Sequence, residues 1–364
     1  MDEMALHKII VEDKSVQASI LNLLNIDSSY EFKHEDQYPN GLKADFSIVS
    51  GNTVKGIIEC KGSDIGVNDF VRGIGQVMEY QHFADNNLSS KGYEYDKAVS
   101  IYLFPSSIIK NKNFNIGLFG YPEKCRIIEY NEINNGIREI TQKELVIFAD
   151  AQNSNKITIS QYYIRDNRLF ELYICLKYVL SKKICGFKNV DRRQAEMDFL
   201  RKIETPNNNN WRNAFISLSS LGLIDSNNLP TPLGAKYATM EYEEFAYEIY
   251  NSYIRVYLDL LVETILKKSD KSVNITYDEI KKMLTEEFNG KEILFMTDSD
   301  NRYLSSWMNI LRDDYGAVDF ASRSNWRTVK YKIFDLNRDT IISKIKMYSI
   351  AYQYIEKFHS EMSK

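Results

Sequence analysis

Residues 43–62 read KADFSIVSGNTVKGIIECKG. The pair Gly51-Asn52 separates two runs of strand-forming residues, a spacing that predicts a β-hairpin. Residues two apart on a strand share a face. Glu59 and Lys61 therefore lie together, while Cys60 points the other way into apolar surroundings set by Ile57 and Ile58. Asp45 stands fourteen residues before Glu59, between Ala44 and Phe46 on the neighbouring run. Two carboxylates and a lysine on adjacent strands can hold a hard cation and ready a water for attack on a phosphate. Such residues are also common on any surface, so the spacing alone is a weak signal. It is strengthened by the apolar residues before each acid, by the stop at Gly62 and by the helix-like run that follows.

That run, VNDFVRGIGQVMEYQHFAD (67–85), has the periodicity of an amphipathic helix. Val67, Val71, Ile74 and Met78 are its expected buried stripe. Arg72, Gln76 and Tyr80 are spaced by four and are expected on one face. Taken together, KADFSIVS, GIIECKG and this helix resemble the PD-(D/E)xK nuclease superfamily, the fold of many restriction endonucleases. Gln76 and Tyr80 are similar to the QxxxY motif of its RecB-like and related branches. The resemblance covers roughly residues 1–150 and departs where Ala44 replaces the family's proline.

The resemblance implies an α/β fold with a restriction-endonuclease-like α/β/α core around a mixed sheet. It implies Mg²⁺ bound by Asp45, one oxygen of Glu59 and the backbone carbonyl of Cys60. Lys61 would hold or deprotonate the attacking water, or neutralise charge on the phosphate. A lysine beside two carboxylates stays protonated unless desolvated, which favours positioning as its role. Arg72, Gln76 and Tyr80 would contact the scissile phosphate or steady the lysine. Upstream, residues 5–26 read as one amphipathic helix with Ile9, Ile10, Val16 and Ile20 on its apolar stripe. An acid on the first helix of the family faces the metal site through water. Glu12 is the candidate by resemblance, with Asp13 second, although either also suits a solvated helix face.

A length of 364 residues, 44% of them hydrophobic, suggests two or three folded domains. No stretch of eighteen apolar residues and no export signal is evident, so a cytoplasmic protein without a membrane partner is expected. Cys60, Cys125, Cys175 and Cys185 form no CxxC pair and read as reduced thiols. His7, His34, His82 and His359 are far apart in the chain, which argues against a zinc finger, an HNH-type centre or a Ser-His-Asp triad. No GK[ST] phosphate loop is present, so no motor for ATP is visible. Residues 1–150 carry 15 basic and 22 acidic side chains, an acidic balance that binds nucleic acid poorly by itself. Between 177 and 212 the balance reverses, with nine basic residues against four acidic ones.

Strands are expected at 97–105, as a buried central strand, and at 116–131. The boundary of the nuclease core is expected near 150–185, with 151–185 as a connecting helical region. Residues 186–245 resemble a winged helix: a helix at 190–204, a second at 209–221, a short strand, a turn, another strand and a last helix. In such domains the second helix enters the DNA major groove from its N-terminal end. Asn209, Asn210, Arg212 and Asn213 would then face bases, since Asn reads adenine and Arg reads guanine through paired hydrogen bonds. An Asn-rich loop is the plainer reading of the same residues. A long tyrosine-rich helix is expected at 241–268, and a second winged-helix-like module over 246–364. In it Thr276 caps a helix at 276–288, and Arg323, Arg327 and Lys330 lie on a wing. A final helix is expected near 340–361.

These readings favour a Mg²⁺-dependent, sequence-specific endonuclease of the type II restriction kind acting on double-stranded DNA. It would cut as a homodimer, with a cognate DNA methyltransferase as a further partner. A RecB-like repair or recombination nuclease and a non-catalytic DNA-binding regulator are the alternatives.

Overall fold

A computed structural model describes the chain apart from residues 28, 39–40, 90, 269–271, 299, 322–325 and 332–336. It divides into two compact units, Met1–Asn155 and Lys156–Lys364.

The first unit begins with α1 (Glu3–Glu12) and α2 (Lys14–Leu24). The single helix expected at 5–26 is broken at Asp13. Its extended backbone ends α1, and its carboxylate accepts from the backbone N–H of Ser15 and Val16 to cap α2. Asp is a strong N-cap, and this local bond competes with helix continuation. Strands β1 (Glu31–Gln37), β2 (Lys43–Ser50) and β3 (Thr53–Cys60) follow. Helix α3 (Val67–Asp85), β4 (Glu94–Pro105), β5 (Arg126–Tyr130), β6 (Ile137–Glu139) and α4 (Gln142–Asn153) complete the unit.

The six strands lie in chain order across one mixed sheet. β3, β4 and β5 run parallel, and the remaining neighbours pair antiparallel. The β2–β3 hairpin closes between Ser50 and Thr53, with Gly51 at φ +57°. Glycine carries no Cβ to oppose that left-handed turn. The expected strand at 116–131 is shorter. A 3₁₀ turn spans Ile116–Leu118, and extended pairing starts only at Arg126. Gly117 sits so close to α4 that a Cβ there would collide with the Leu145 carbonyl.

Helices cover both faces of the sheet. On one, Leu6, Ile10, Val16 and Ile20 pack against Phe46, Ile58 and Leu103. On the other, Phe70 and Val77 of α3 and Phe148 of α4 join Tyr102, Phe104 and Ile127. The buried stripe of α3 therefore differs from the expected one. Phe70, Ile74, Val77 and Tyr80 are buried, whereas Val67, Val71 and Met78 are exposed. The sheet selects the aromatic face, because large rings bury more area than valine.

The second unit is mainly helical. It holds β7 (Lys156–Ile157), α5 (Leu169–Ile184), α6 (Arg192–Asp198), α7 (Trp211–Ser220), α8 (Pro232–Ala238), α9 (Tyr242–Ile249) and α10 (Arg255–Leu266). Beyond them come β8 (Ser272–Thr276), α11 (Tyr277–Glu287), β9 (Glu292–Ile293), α12 (Arg302–Asp313), β10 (Val318–Asp319), β11 (Trp326–Tyr331), α13 (Arg338–Tyr348) and α14 (Ala351–Met362). The two strands expected between α7 and α8 reduce to a single bridge, Ile224 to Pro230. Asp225 holds that turn by accepting from the N–H of Asn227 and Leu229. The helix expected at 190–204 is cut short by a 3₁₀ turn at Leu200–Ile203. The tyrosine-rich helix is interrupted by a π turn at Tyr250–Ile254, and the final helix is split at Ser349. Thr276 does cap α11, in a capping box with Glu279. β11 pairs with β8 and β10 in a small antiparallel sheet. Arg323 and most of the expected wing lie outside the described residues, as do the side chains of Arg327 and Lys330.

Candidate active site

The C-terminal end of β3 and the N-terminal end of its antiparallel neighbour β2 bring the motif together. Parallel pairing carries β3 alongside β4, and the backbone N–H of Lys61 continues the ladder to the Leu103 carbonyl. Lys61 and Glu59 are both buried, at 7% and 1% exposure, so neither is an ordinary surface charge. The Lys61 ammonium donates to Glu59 Oε1 at 2.6 Å and to the Cys60 carbonyl at 2.9 Å. Glu3 Oε2, from the first turn of α1, lies 3.4 Å from the same nitrogen.

Asp45 reaches this cluster from β2. Its Oδ2 accepts from the backbone N–H of Cys60 at 2.6 Å. Tyr80 closes the other side, donating from its hydroxyl to Glu59 Oε2 at 2.7 Å, with the Lys43 carbonyl 3.1 Å away. Gln76 is half-buried, one turn before Tyr80 on the same helix. Arg72 is exposed. The three residues spaced by four thus do not share one environment. Each step of four advances the helix by about 40° beyond a full turn, so Arg72 and Tyr80 differ by roughly 80° in direction.

Charge balance at the site is uneven. Burial pushes the Glu59 carboxyl up to about 7, and the charge of Asp45 adds to this, while Lys61 and Tyr80 pull the other way. Burial opposes the Lys61 ammonium, but Glu59, Glu3 and Asp45 outweigh it and hold its pKa above the ordinary lysine range.

Two placements escaped the sequence reading. Glu12 is exposed at the far end of α1, and the acid of α1 that approaches Lys61 is Glu3. Helix α1 ends at Asp13, so its first turn and not its last meets the end of β3. The second is His7, which lies between Leu6 and Ile10 on the buried stripe of α1. A histidine amid a core-facing stripe was the available signal. His7 Nε2 is 3.5 Å from Asp45 Oδ2 and has no hydrogen-bond partner among the described residues. His34 of β1 brings Nε2 to 3.4 Å from His7 Nδ1. The register places His34 opposite Phe46, and both histidine rings pack on that phenylalanine. Residues far apart in the chain are therefore neighbours on the sheet. Burial opposes the charged His7 ring, but Asp45 and Glu3 outweigh it and raise its pKa. Cys60 is fully buried in the α1-facing core, and burial drives its thiol pKa well up.

In the second unit, Asn209, Asn210 and Arg212 are exposed at the N-terminal end of α7. Asn213 is half-buried and donates to Asp166 Oδ2 at 3.2 Å. Arg192, Arg193 and Arg212 line one cleft of ≈ 590 Å³, shared with Asn227, Asn228 and the acids Asp191 and Glu196. No helix among the described residues is long and apolar enough to cross a membrane. No protein-family model matches this chain, and no curated protein matches it in sequence.

Proposed function

We propose that this chain is a metal-dependent deoxyribonuclease with a restriction-endonuclease-like core, hydrolysing phosphodiester bonds in double-stranded DNA. The observation that carries the reading is the convergence of buried Glu59 and Lys61 with Asp45 and Tyr80 at one end of the sheet. Buried charges are rare unless they serve each other or a ligand.

The donor set fits a divalent cation. The charge of Asp45 adds to the cost of ionising buried Glu59, and a cation between the two carboxylates would relieve it. Asp45, Glu59 and the Cys60 carbonyl would hold Mg²⁺. Such an ion polarises a phosphoryl oxygen and acidifies a bound water. Tyr80 orients Glu59 through its hydroxyl, and Gln76 steadies Tyr80. Lys61, kept charged by three acids, would position the attacking water and offset negative charge gathering on the phosphate.

The second unit would read DNA through Asn209, Asn210, Arg212 and Asn213, with phosphate contacts from the arginine cleft. A type II restriction enzyme, cutting as a homodimer beside a cognate methyltransferase, is the activity these parts suit best. The placement of Gln76 one turn before Tyr80, whose hydroxyl bonds Glu59, favours a second reading, a RecB-like nuclease that digests from DNA ends. Digestion of modified and unmodified plasmid with Mg²⁺ separates the two. Discrete fragments from closed circles support the first, and attack confined to linear DNA supports the second. Asp45→Ala and Lys61→Ala should each lose roughly 10²-fold or more in rate while retaining DNA binding. Normal cutting by both variants would refute the site.

A further inference from the structure

Cys60 offers two different donors at one position. Its carbonyl belongs to the oxygen set described above, whereas its thiol lies on the opposite side of the strand, in the core shared with α1. There a His7 ring nitrogen, an Asp45 carboxylate oxygen and the Cys60 sulfur all lie within 4.8 Å of one another. Ligand atoms bound to one tetrahedral Zn²⁺ stand roughly 3.5 Å apart, so a small side-chain movement would close this set. His7 Nε2 is buried and makes no close hydrogen bond; Asp45 Oδ2 stands 3.5 Å from it, the separation of two ligand atoms on one cation. On the far side of the ring, His34 stands 3.4 Å from His7 Nδ1. A partner on the second nitrogen fixes the tautomer and orientation of a ligating imidazole.

We propose that His7, Asp45 and the Cys60 thiolate form a zinc-class cation site that shares Asp45 with the Mg²⁺ set, so that zinc shuts off hydrolysis. The inference rests on the nuclease reading for its consequence but not for its chemistry. Imidazole and thiolate select zinc and cobalt, while the Glu59 carboxylate and the Cys60 carbonyl select magnesium. The thiol proton leaves to solvent as the sulfur binds. A zinc ion that draws Asp45 toward His7 and the Cys60 sulfur takes that carboxylate from the Mg²⁺ set. Lys61 and Glu59 remain paired with each other and take no part in the soft site.

The test uses the full chain stripped of metal, with Co²⁺ as a spectroscopic probe and Zn²⁺ as its competitor. Wild type is expected to bind one Co²⁺ with a sulfur-to-metal charge-transfer absorption, which Zn²⁺ abolishes. Cys60→Ala should lose that absorption, and His7→Gln, which keeps the thiol, should weaken Co²⁺ binding. Loss of a direct ligand should cost more than the roughly 10–100-fold that an outer partner costs. Cys185→Ser, which removes the exposed thiol, and Lys61→Ala should both retain the band. An absent band in wild type, or an unchanged band in Cys60→Ala and His7→Gln, overturns the site. Circular dichroism of each variant separates lost ligation from lost folding, and His7→Gln decides the matter if Cys60→Ala does not fold. A band without any Mg²⁺-dependent cleavage would leave the zinc site standing and refute the nuclease reading. Cleavage in Mg²⁺ that is indifferent to bound Zn²⁺ would refute the sharing of Asp45.

Discussion

Tyr80, in the third quarter of α3, donates its hydroxyl to Glu59 Oε2 at 2.7 Å, so a helix on one face of the sheet fixes a carboxylate at a strand end. Removing that hydroxyl while keeping the ring tests the relationship directly. Tyr80→Phe should stay folded and lose about 1–1.5 kcal/mol, the worth of one hydrogen bond to a charged or polar partner. Mg²⁺ affinity or cleavage rate should fall by roughly 10–100-fold, as for other partners that orient a ligand. Urea denaturation and a Mg²⁺ titration of cleavage check both numbers. Unchanged metal dependence would show that Tyr80 is only a core residue.

Asp45 and Glu59 should make stability depend on divalent cations. At a Mg²⁺ concentration about 100 times its Kd, binding to the folded state adds roughly 2.7 kcal/mol. A thermal melt with and without Mg²⁺ should show this rise for wild type and lose it for Asp45→Ala. An equal rise in both would place the ion elsewhere.

Gly73 faces the site from α3, and a Cβ there would come within 2.9 Å of Lys61 Cε and 2.6 Å of the Tyr102 hydroxyl. Gly73→Ala removes a poor helix residue, which alone would stabilise α3 by about 1 kcal/mol. Overpacking should reverse this by about 1–3 kcal/mol. Displacing Lys61 by about 1 Å should reduce the rate by roughly 10²-fold. A variant that gains stability and keeps full rate would show that Lys61 is free to move.

Arg138 lies between Glu129 and Glu144, at 2.9 Å and 2.7 Å, and both acids are buried. Arg138→Ala leaves two buried carboxylates without their cation. A loss of about 3–5 kcal/mol is expected, read from the urea midpoint. A loss below 1 kcal/mol would show that water replaces the guanidinium.

Asp314, in the second unit, accepts from the N–H of Leu169 at 3.0 Å and Phe170 at 3.1 Å and from the Tyr242 hydroxyl at 2.6 Å. Burial pushes its carboxyl up to about 7 against these donors. An unfolded Asp titrates near about 3.9. Between about pH 4 and 7 the folded chain therefore keeps a proton that the unfolded chain has released. This group's contribution is full at the acid end, declines as pH rises through that window and levels off above about 7. Asp314→Asn should flatten the decline between about pH 4 and 7, and an identical slope in the variant would exclude Asp314 as its source.

Much of the site was readable from local spacing. The Gly51-Asn52 turn and the two-residue alternation placed Glu59 and Lys61 on one face and sent Cys60 to the other. The N-cap at Thr276 was legible for the same reason, since a few residues of sequence fix its geometry. Longer elements were less so. Asp13 breaks a helix that periodicity alone would continue, and the tyrosine-rich helix carries a π turn that no spacing announces.

The sequence by itself determined which residues alternate, which turns close and which short segments start a helix, because each of these depends on neighbours a few bonds away. Only the tertiary structure decided that Glu3 and His7, not Glu12, approach Asp45 and Lys61, and that Phe70 and Tyr80, not Val67 and Val71, face the sheet. Those outcomes follow from how helices dock on a mixed sheet, where burial of the largest rings and pairing of buried charges are settled between residues distant in the chain.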